Sequence, residues 1–203
     1  MIAIIDYGIG NLASVFNMFK KIGIKEVLVT NKIADIEKAD KLLIPGVGSF
    51  DRGMSNLHAS NLIEVLNHKA IEQKVPVLGI CLGMQLLGKG SEEGQMQGLG
   101  WIDAHTVKFK PEPSLKLRVP NMGWEYVKVQ KENPLLAMDS KSRFYFVHSY
   151  HVVCEQEEQS IAQADFDGPF TCMVNKENVY GTQFHPEKSL KFGMKLLENF
   201  AKI

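Results

Sequence analysis

Residues 75–87 read Val-Pro-Val-Leu-Gly-Ile-Cys-Leu-Gly-Met-Gln-Leu-Leu. Val75–Ile80 is an apolar run suited to a buried strand, and Met84–Leu87 begins a helical pattern. Between them, Gly79-Ile80-Cys81-Leu82-Gly83 has the form of a nucleophile elbow. A sharp strand-to-helix turn forces its middle residue into a strained conformation, and small residues two positions either side admit neighbouring backbone. Such a turn lifts the Cys81 sulfur above the sheet at a helix N-terminus. There the dipole favours thiolate, and the Leu82 amide is free to donate to an oxyanion. An isolated cysteine would read as a small buried apolar residue. The glycine frame is what turns the reading towards a nucleophile.

Working outward, the strand-turn-helix alternation recurs. Residues 2–6 (Ile-Ala-Ile-Ile-Asp) form an apolar run, and a Gly-rich turn leads into the amphipathic stretch Asn11–Ile22, closed by Gly23. Val27–Thr30 and Leu42–Ile44 are further strands, and Leu62–Glu72 is a helix. This order predicts an α/β fold with a central, mostly parallel sheet flanked by helices. From Trp101 the texture changes to Ile102–Phe109, Glu125–Val129, Phe144–Tyr150, His151–Glu155 and Tyr180–Phe184, rich in β-branched and aromatic residues. These predict additional strands in the C-terminal half, some antiparallel. Leu190–Ala201 follows Ser189, a suitable N-cap, and closes the fold as a helix.

The 203 residues, 45% hydrophobic, suffice for one core and suggest one domain over 1–203. Lys plus Arg and Asp plus Glu both number 23, leaving no net charge to attract nucleic acid or an anionic membrane. Cys81, Cys154 and Cys172 are an odd, unpaired set without zinc-ligand spacing, which suits a reducing cytoplasm and predicts no metal site. No apolar run approaches the roughly 20 residues of a membrane span.

A second chemical signal is Gln183-Phe184-His185-Pro186-Glu187. Pro186 restrains its own φ and biases His185 to an extended conformation, so His185 and Glu187 can lie on one side of the chain. Glu187 can then orient the imidazole, the base-plus-orienter relation a cysteine nucleophile requires. A third is Pro45-Gly46-Val47-Gly48, directly after a strand, whose glycine-flanked amides can approach an anionic oxygen. Gly8-Ile9-Gly10-Asn11-Leu12-Ala13 matches a dinucleotide fingerprint, but the acid expected about 20 residues on is missing, because the second strand ends at Thr30-Asn31-Lys32. His58, His68, His105 and His151 have no evident partner, and His148, within an aromatic run, reads as structural.

These segments resemble class I glutamine amidotransferases, whose elbow cysteine and His-Pro-Glu pair recur as Gly79-Ile80-Cys81-Leu82-Gly83-Met84-Gln85 and Gln183-Phe184-His185-Pro186-Glu187-Lys188-Ser189. Asp6–Leu12, Pro45–Gly48, Met122-Gly123-Trp124 and Phe146–Tyr150 extend the likeness, along the whole chain, to the glutaminase subunits of imidazole glycerol phosphate synthases. The resemblance implies the class I amidotransferase fold and glutamine as substrate, with no cofactor. It makes Cys81 the nucleophile, His185 the acid and base, and Glu187 its orienter. It implies that Val47 and Leu82 offer oxyanion amides and that Gly48, Gln85 and the backbone near Ser149 hold glutamine. It further implies a heterodimer with a barrel-fold cyclase that receives ammonia, with Asn11, Trp124 and Lys188 near the interface. The family usually reads Pro-His-x-Gly-Trp-Asn around the tryptophan, where this chain has Pro120-Asn121-Met122-Gly123-Trp124-Glu125. That departure leaves open a paralogous role, ammonia supply for amidination of a bacterial surface sugar.

Overall fold

Strand β1 (Ile2–Ile5) shows why the apolar runs are continuous rather than alternating. Ile2 and Ile4 join one hydrophobic core, while Ala3 and Ile5 join another on the opposite face of the same sheet. The same division holds in β3 (Lys41–Gly46), where Leu43 faces one way and Leu42 and Ile44 the other. A strand covered on both faces needs an apolar residue at every position. The computed structural model describes residues 1–138 and 141–203.

Strands β2 (Val27–Thr30), β1, β3, β4 (Val77–Cys81) and β13 (Val179–Thr182) lie side by side in that order, all parallel. Helix α1 (Leu12–Lys21) and the C-terminal α6 (Leu190–Lys202) cover one face through Val15, Phe19, Leu196, Leu197 and Phe200. On the other face lie α2 (Ile33–Glu37), α3 (Phe50–Ala59), α4 (Ile63–Asn67) and α5 (Leu82–Leu86). Beyond β13 the sheet turns antiparallel through β12 (Pro169–Lys176), β10 (Tyr150–Cys154) and β6 (Ala104–Lys108), ending on the short β5 (Gly90–Ser91). Strand β11 (Ser160–Asp165) pairs with β12 and carries β8 (Lys128–Val129). The α/β class, the parallel centre and the antiparallel C-terminal half are as the sequence predicts. No described helix is long and apolar enough to cross a membrane.

Four local differences have physical causes. Helix α3 buries Phe50, Gly53, Met54 and Leu57, an i, i+3, i+4, i+7 stripe whose glycine breaks the apolar pattern in the sequence. Residues 62–72 form not one helix but α4 followed by a π-helical turn at His68–Glu72. The runs 144–150 and 151–155 divide between two sheets at Ser149, because among the described residues β9 (Arg143–His148) pairs with β7 (Asn121–Tyr126) alone, while β10 begins at Tyr150. Ser189 occupies the N-cap position of α6 without capping it. Its hydroxyl donates to the His185 carbonyl at 2.6 Å and accepts from the Tyr145 N–H at 3.0 Å.

The elbow at the end of β4 depends on glycine. A Cβ on Gly83 would overlap the backbone carbonyl oxygen of Ile44 in β3, and one on Gly79 would come within 2.7 Å of the Gly83 oxygen. Neither neighbour is a side chain that can swing aside. Gly83→Ala should therefore cost about 3 kcal/mol or more in urea unfolding. Gly90→Ala, whose Cβ would meet only the His105 ring at 3.7 Å, should change stability by less than about 1 kcal/mol. Equal stability of the two variants would refute the packing account.

Candidate active site

Cys81 ends β4 and precedes α5 with φ 54° and ψ −111°, a region closed to most side-chain-bearing residues. Such strain costs on the order of 1–3 kcal/mol and persists only where surrounding packing over-determines it. Here β3 and β13 flank β4, and Gly46 of β3 is the register partner of Cys81. The Tyr7 hydroxyl donates to the Pro45 carbonyl at 2.7 Å, tying the end of β3 beside the elbow to the turn that follows β1. Burial, and next the nearby Cys81 sulfur, raise the Tyr7 phenol pKa, so Tyr7 stays neutral.

His185 follows β13 and is held by strand β9, where the Tyr145 carbonyl accepts from its backbone N–H at 2.9 Å. Its Nδ1 lies 2.8 Å from Glu187 Oε1, and both side chains are almost wholly buried, 2% and 1% exposed. Among the described residues Nε2 has no hydrogen-bond partner, and the Cys81 sulfur is the group beside it that acts on the ring. Burial is the largest influence on the imidazole and pulls its pKa down. The Cys81 sulfur and the Glu187 carboxylate together outweigh burial and push it up to about 10. The imidazolium form is thereby favoured beside the sulfur.

These groups border a cavity of about 330 Å³. Cys81, Leu82, Gln85, Val47, Gly48, Ser149, His185 and Lys188 all line it, so eight of the residues singled out in the sequence converge there. Glu187 stands behind His185. Asn11 and Trp124 lie elsewhere. Asn11 precedes α1 without capping it by its side chain. Trp124 sits on β7, 38% exposed, edge-on to Tyr145 at 6.2 Å and 5.4 Å from the Arg143 guanidinium. Its neighbours Met122 and Tyr126 are 61% and 69% exposed, so β7 presents an apolar surface rather than a core face. Lys188 Nζ lies 5.8 Å over the Tyr145 ring. A larger groove of about 860 Å³ runs between residues 89–100 and β6, but none of these groups lines it.

Lining the cavity, or buried directly behind the sulfur in the case of Gln183, are residues the sequence did not single out for it. Glu93 brings a carboxylate, whose Oε2 accepts from the Phe50 N–H at 2.9 Å. It comes from a stretch without hydrophobic periodicity, so only the tertiary contact reveals it. Gln183, in the His-Pro-Glu segment, is fully buried, and its Nε2 donates to Cys81 Sγ at 3.7 Å. His148 lines the same cavity. Its Nδ1–H donates to the Tyr150 carbonyl at 2.7 Å, and its Nε2 accepts from Asn121 Nδ2 at 3.3 Å. Asn121 thus uses its departure from the expected histidine to pair with His148. Among the histidines read as lacking partners, His68 contacts Glu72 and Gln73, and His105 lies 3.6 Å from Glu155. The glycines of the fingerprint-like turn serve packing: a Cβ on Gly10 would meet the Pro45 backbone at 3.1 Å, and one on Gly8 would meet Asn56 at 3.2 Å.

The profile of the family described as glutamine amidotransferase class-I matches residues 3–203. The chain is 55% identical to "Imidazole glycerol phosphate synthase subunit HisH 2" of Methanococcus maripaludis, over 100% of this chain and 99% of that protein. It is 48% identical to the protein of the same name from Pseudomonas aeruginosa, over the full length of both. Among solved structures, that of PurLQS from Thermotoga maritima superposes with a TM-score of 0.74 at 17% identity, covering 99% of this chain and 97% of that one. At that identity the likeness concerns the fold.

His148 provides a test of this electrostatic description. Burial pulls its pKa down to about 4; the Tyr150 carbonyl opposes this, and the facing His151 and His185 reinforce it. The unfolded chain therefore takes up a proton on this residue between pH 6.5 and 4 while the folded chain does not, so acidification destabilises the fold. Relative to His148→Gln, the wild type should lose up to about 3 kcal/mol between pH 7 and pH 4 in urea unfolding. Parallel pH dependences for the two proteins would show that His148 is not held neutral.

Proposed function

The chain belongs to the class-I glutamine amidotransferase family, and on that premise we propose that it is the glutaminase subunit of an imidazole glycerol phosphate synthase. It hydrolyses glutamine to glutamate and ammonia, which a cyclase subunit uses in histidine biosynthesis. The observation that carries the reading is the meeting of a strained cysteine with a histidine–glutamate pair in one cavity.

In this reading the Cys81 thiolate attacks the side-chain amide carbon of glutamine. The backbone N–H groups of Leu82 and Val47 receive the resulting oxyanion. His185, carrying the proton taken from sulfur, delivers it to the departing nitrogen, so ammonia leaves and a thioester remains. His185 then accepts a proton from water, which attacks the thioester and releases glutamate. Glu187 holds the ring with Nδ1–H towards itself and Nε2 towards the sulfur, and stabilises the imidazolium. Gly48, Gln85 and the backbone at Ser149 hold the substrate. Glu93 is the one carboxylate among the described lining residues and suits the α-ammonium group.

The whole chain, 1–203, serves as a single amidotransferase domain in the cytoplasm. Its partner is a barrel-fold cyclase, seated on the exposed apolar residues of β7 with Trp124 as anchor, Lys188 beside it over the Tyr145 ring, and Asn11 assigned to the same interface by the family resemblance. A second reading, ammonia supply for amidination of a bacterial surface sugar, is favoured by Asn121 and Glu125, which depart from the family pattern. The substrate consumed by the co-purifying cyclase separates the two.

Cys81→Ala should abolish glutamine hydrolysis and leave the thermal melt within a few degrees of wild type, while added ammonium salt restores synthesis by the complex. Residual hydrolysis at the wild-type rate would remove Cys81 from the mechanism. Trp124→Ala should weaken partner binding by about tenfold or more without a core-sized loss of stability. Unchanged affinity with a large drop in melting temperature would reverse that assignment. Glutaminase activity should rise about 10²–10³-fold when partner and its substrate analogue are added, because the glycine-flanked Val47 peptide can alternate between amide and carbonyl inward. Equal rates alone, with partner and with partner plus analogue would remove the gating while leaving the three catalytic groups in place.

A further inference from the structure

Gln183 is fully buried, and its side-chain amide has two neighbours. Nε2 lies 3.7 Å from Cys81 Sγ, and Oε1 lies 3.1 Å from Gln85 Nε2. A primary amide donates at one end and accepts at the other, so its direction decides what the sulfur meets. The Tyr150 carbonyl sets that direction. A carbonyl can only accept, and the Gln85 amide approaches it at 3.3 Å, so the end of Gln85 placed there is its NH₂. The same NH₂ reaches Gln183, which must present its oxygen to Gln85 and its own NH₂ to the sulfur. The Nδ1–H of His148 also donates to this carbonyl. One backbone oxygen thus imposes polarity through two glutamines onto the nucleophile.

Cys81 is only 6% exposed, so a thiolate there has lost most of its hydration and needs replacement donors. In the proposed mechanism Nε2–H of the protonated His185 supplies one, and the Leu82 amide serves the oxyanion. We propose that Gln183 is a catalytic residue whose Nε2–H holds Cys81 in the thiolate form and fixes the direction of its attack, its donor end being imposed through Gln85 by the Tyr150 carbonyl. The proton displaced from sulfur resides on His185, and no bond other than S–H is broken in this step. The assignment deepens the reading of Cys81 as nucleophile and rests on it. It also accounts for a buried amide just after β13, where an apolar side chain would need no partners.

Two variants and one wild-type measurement test it on the full chain. Gln183→Met keeps the length but removes the amide. Gln183→Glu keeps an acceptor for Gln85 and turns an acceptor or a negative charge towards the sulfur. The readout is the pH profile of Cys81 alkylation by iodoacetamide, followed on the Cys81 peptide by mass spectrometry without glutamine. In both variants alkylation at pH 7 should slow by about tenfold and the profile should move to higher pH, Glu at least as far as Met. Turnover should fall in parallel, with KM within about twofold of wild type. Wild-type alkylation profiles combined with a raised KM would overturn the proposal, since Gln183 would then act only by placing Gln85. In the wild-type chain the Gln183 side-chain amide resonances should shift with the midpoint of the alkylation profile. An amide insensitive to sulfur ionisation would overturn the proposal even if neither variant folds. Alkylation needs no turnover, so shifted profiles in a chain that hydrolyses no glutamine would support Gln183 while refuting the glutaminase reading.

Discussion

The site depends on close backbone contact between the elbow and strand β3. Cys81 holds a positive φ because Gly83 packs against the Ile44 carbonyl and Gly79 against the Gly83 oxygen, contacts that exist only without Cβ atoms. The strain at one residue is offset by packing on both faces of the sheet, where the cores formed by α1 and α6 on one side and α3 to α5 on the other meet the same strands. A helix start brought this near to two strand ends puts the sulfur, Leu82 and the Val47–Gly48 turn after β3 on one small cavity. The chemistry follows from that proximity, and no side chain in the cavity could substitute for it.

Directionality is the second constraint. Carbonyl and carboxylate oxygens accept and do not donate, and the structure uses them to orient the ambiguous groups around the sulfur. The Tyr150 carbonyl sets the tautomer of His148 and the orientation of Gln85. The Glu187 carboxylate performs the same service for His185 by taking its Nδ1–H. Groups that could rotate or flip are thereby held in one state, which is what preorganisation requires.

The sequence revealed local geometry better than tertiary convergence. The elbow and the His-Pro-Glu segment were legible because glycine spacing and proline restrict the backbone over a few residues. The parallel strands were legible because double coverage makes them uniformly apolar. Helix α3 was hidden by a glycine in its buried stripe, and Ser189 was misread because its hydroxyl serves His185 and Tyr145 instead of a helix. Glu93 carried no local signal at all, since its bond to Phe50 spans 43 residues of sequence. Gln183 stood in a recognised segment, yet its contact with the sulfur depends on Gln85 and Tyr150, which come from two other elements.

Strand β9 joins these parts. Its Tyr145 holds the backbone of His185 and the hydroxyl of Ser189, and its end residue His148 anchors the Tyr150 carbonyl that orients Gln85. On its other side β9 pairs with β7 through Asn121↔His148 and Trp124↔Tyr145, and β7 bears the exposed Met122, Trp124 and Tyr126. A protein seated on that apolar surface would therefore lie one strand away from both the imidazole and the carbonyl that directs the glutamines. Although β7 and β9 form a separate two-stranded sheet, β9 packs Phe144 and Phe146 into the same core as Cys81, with Phe144 stacked on Phe184 at 3.9 Å, so this sheet is coupled to the parallel core that holds the elbow. A partner's differential contact with β7 would then bear on the alignment of His185 through Tyr145 and on the orientation of Gln85 through His148 and the Tyr150 carbonyl.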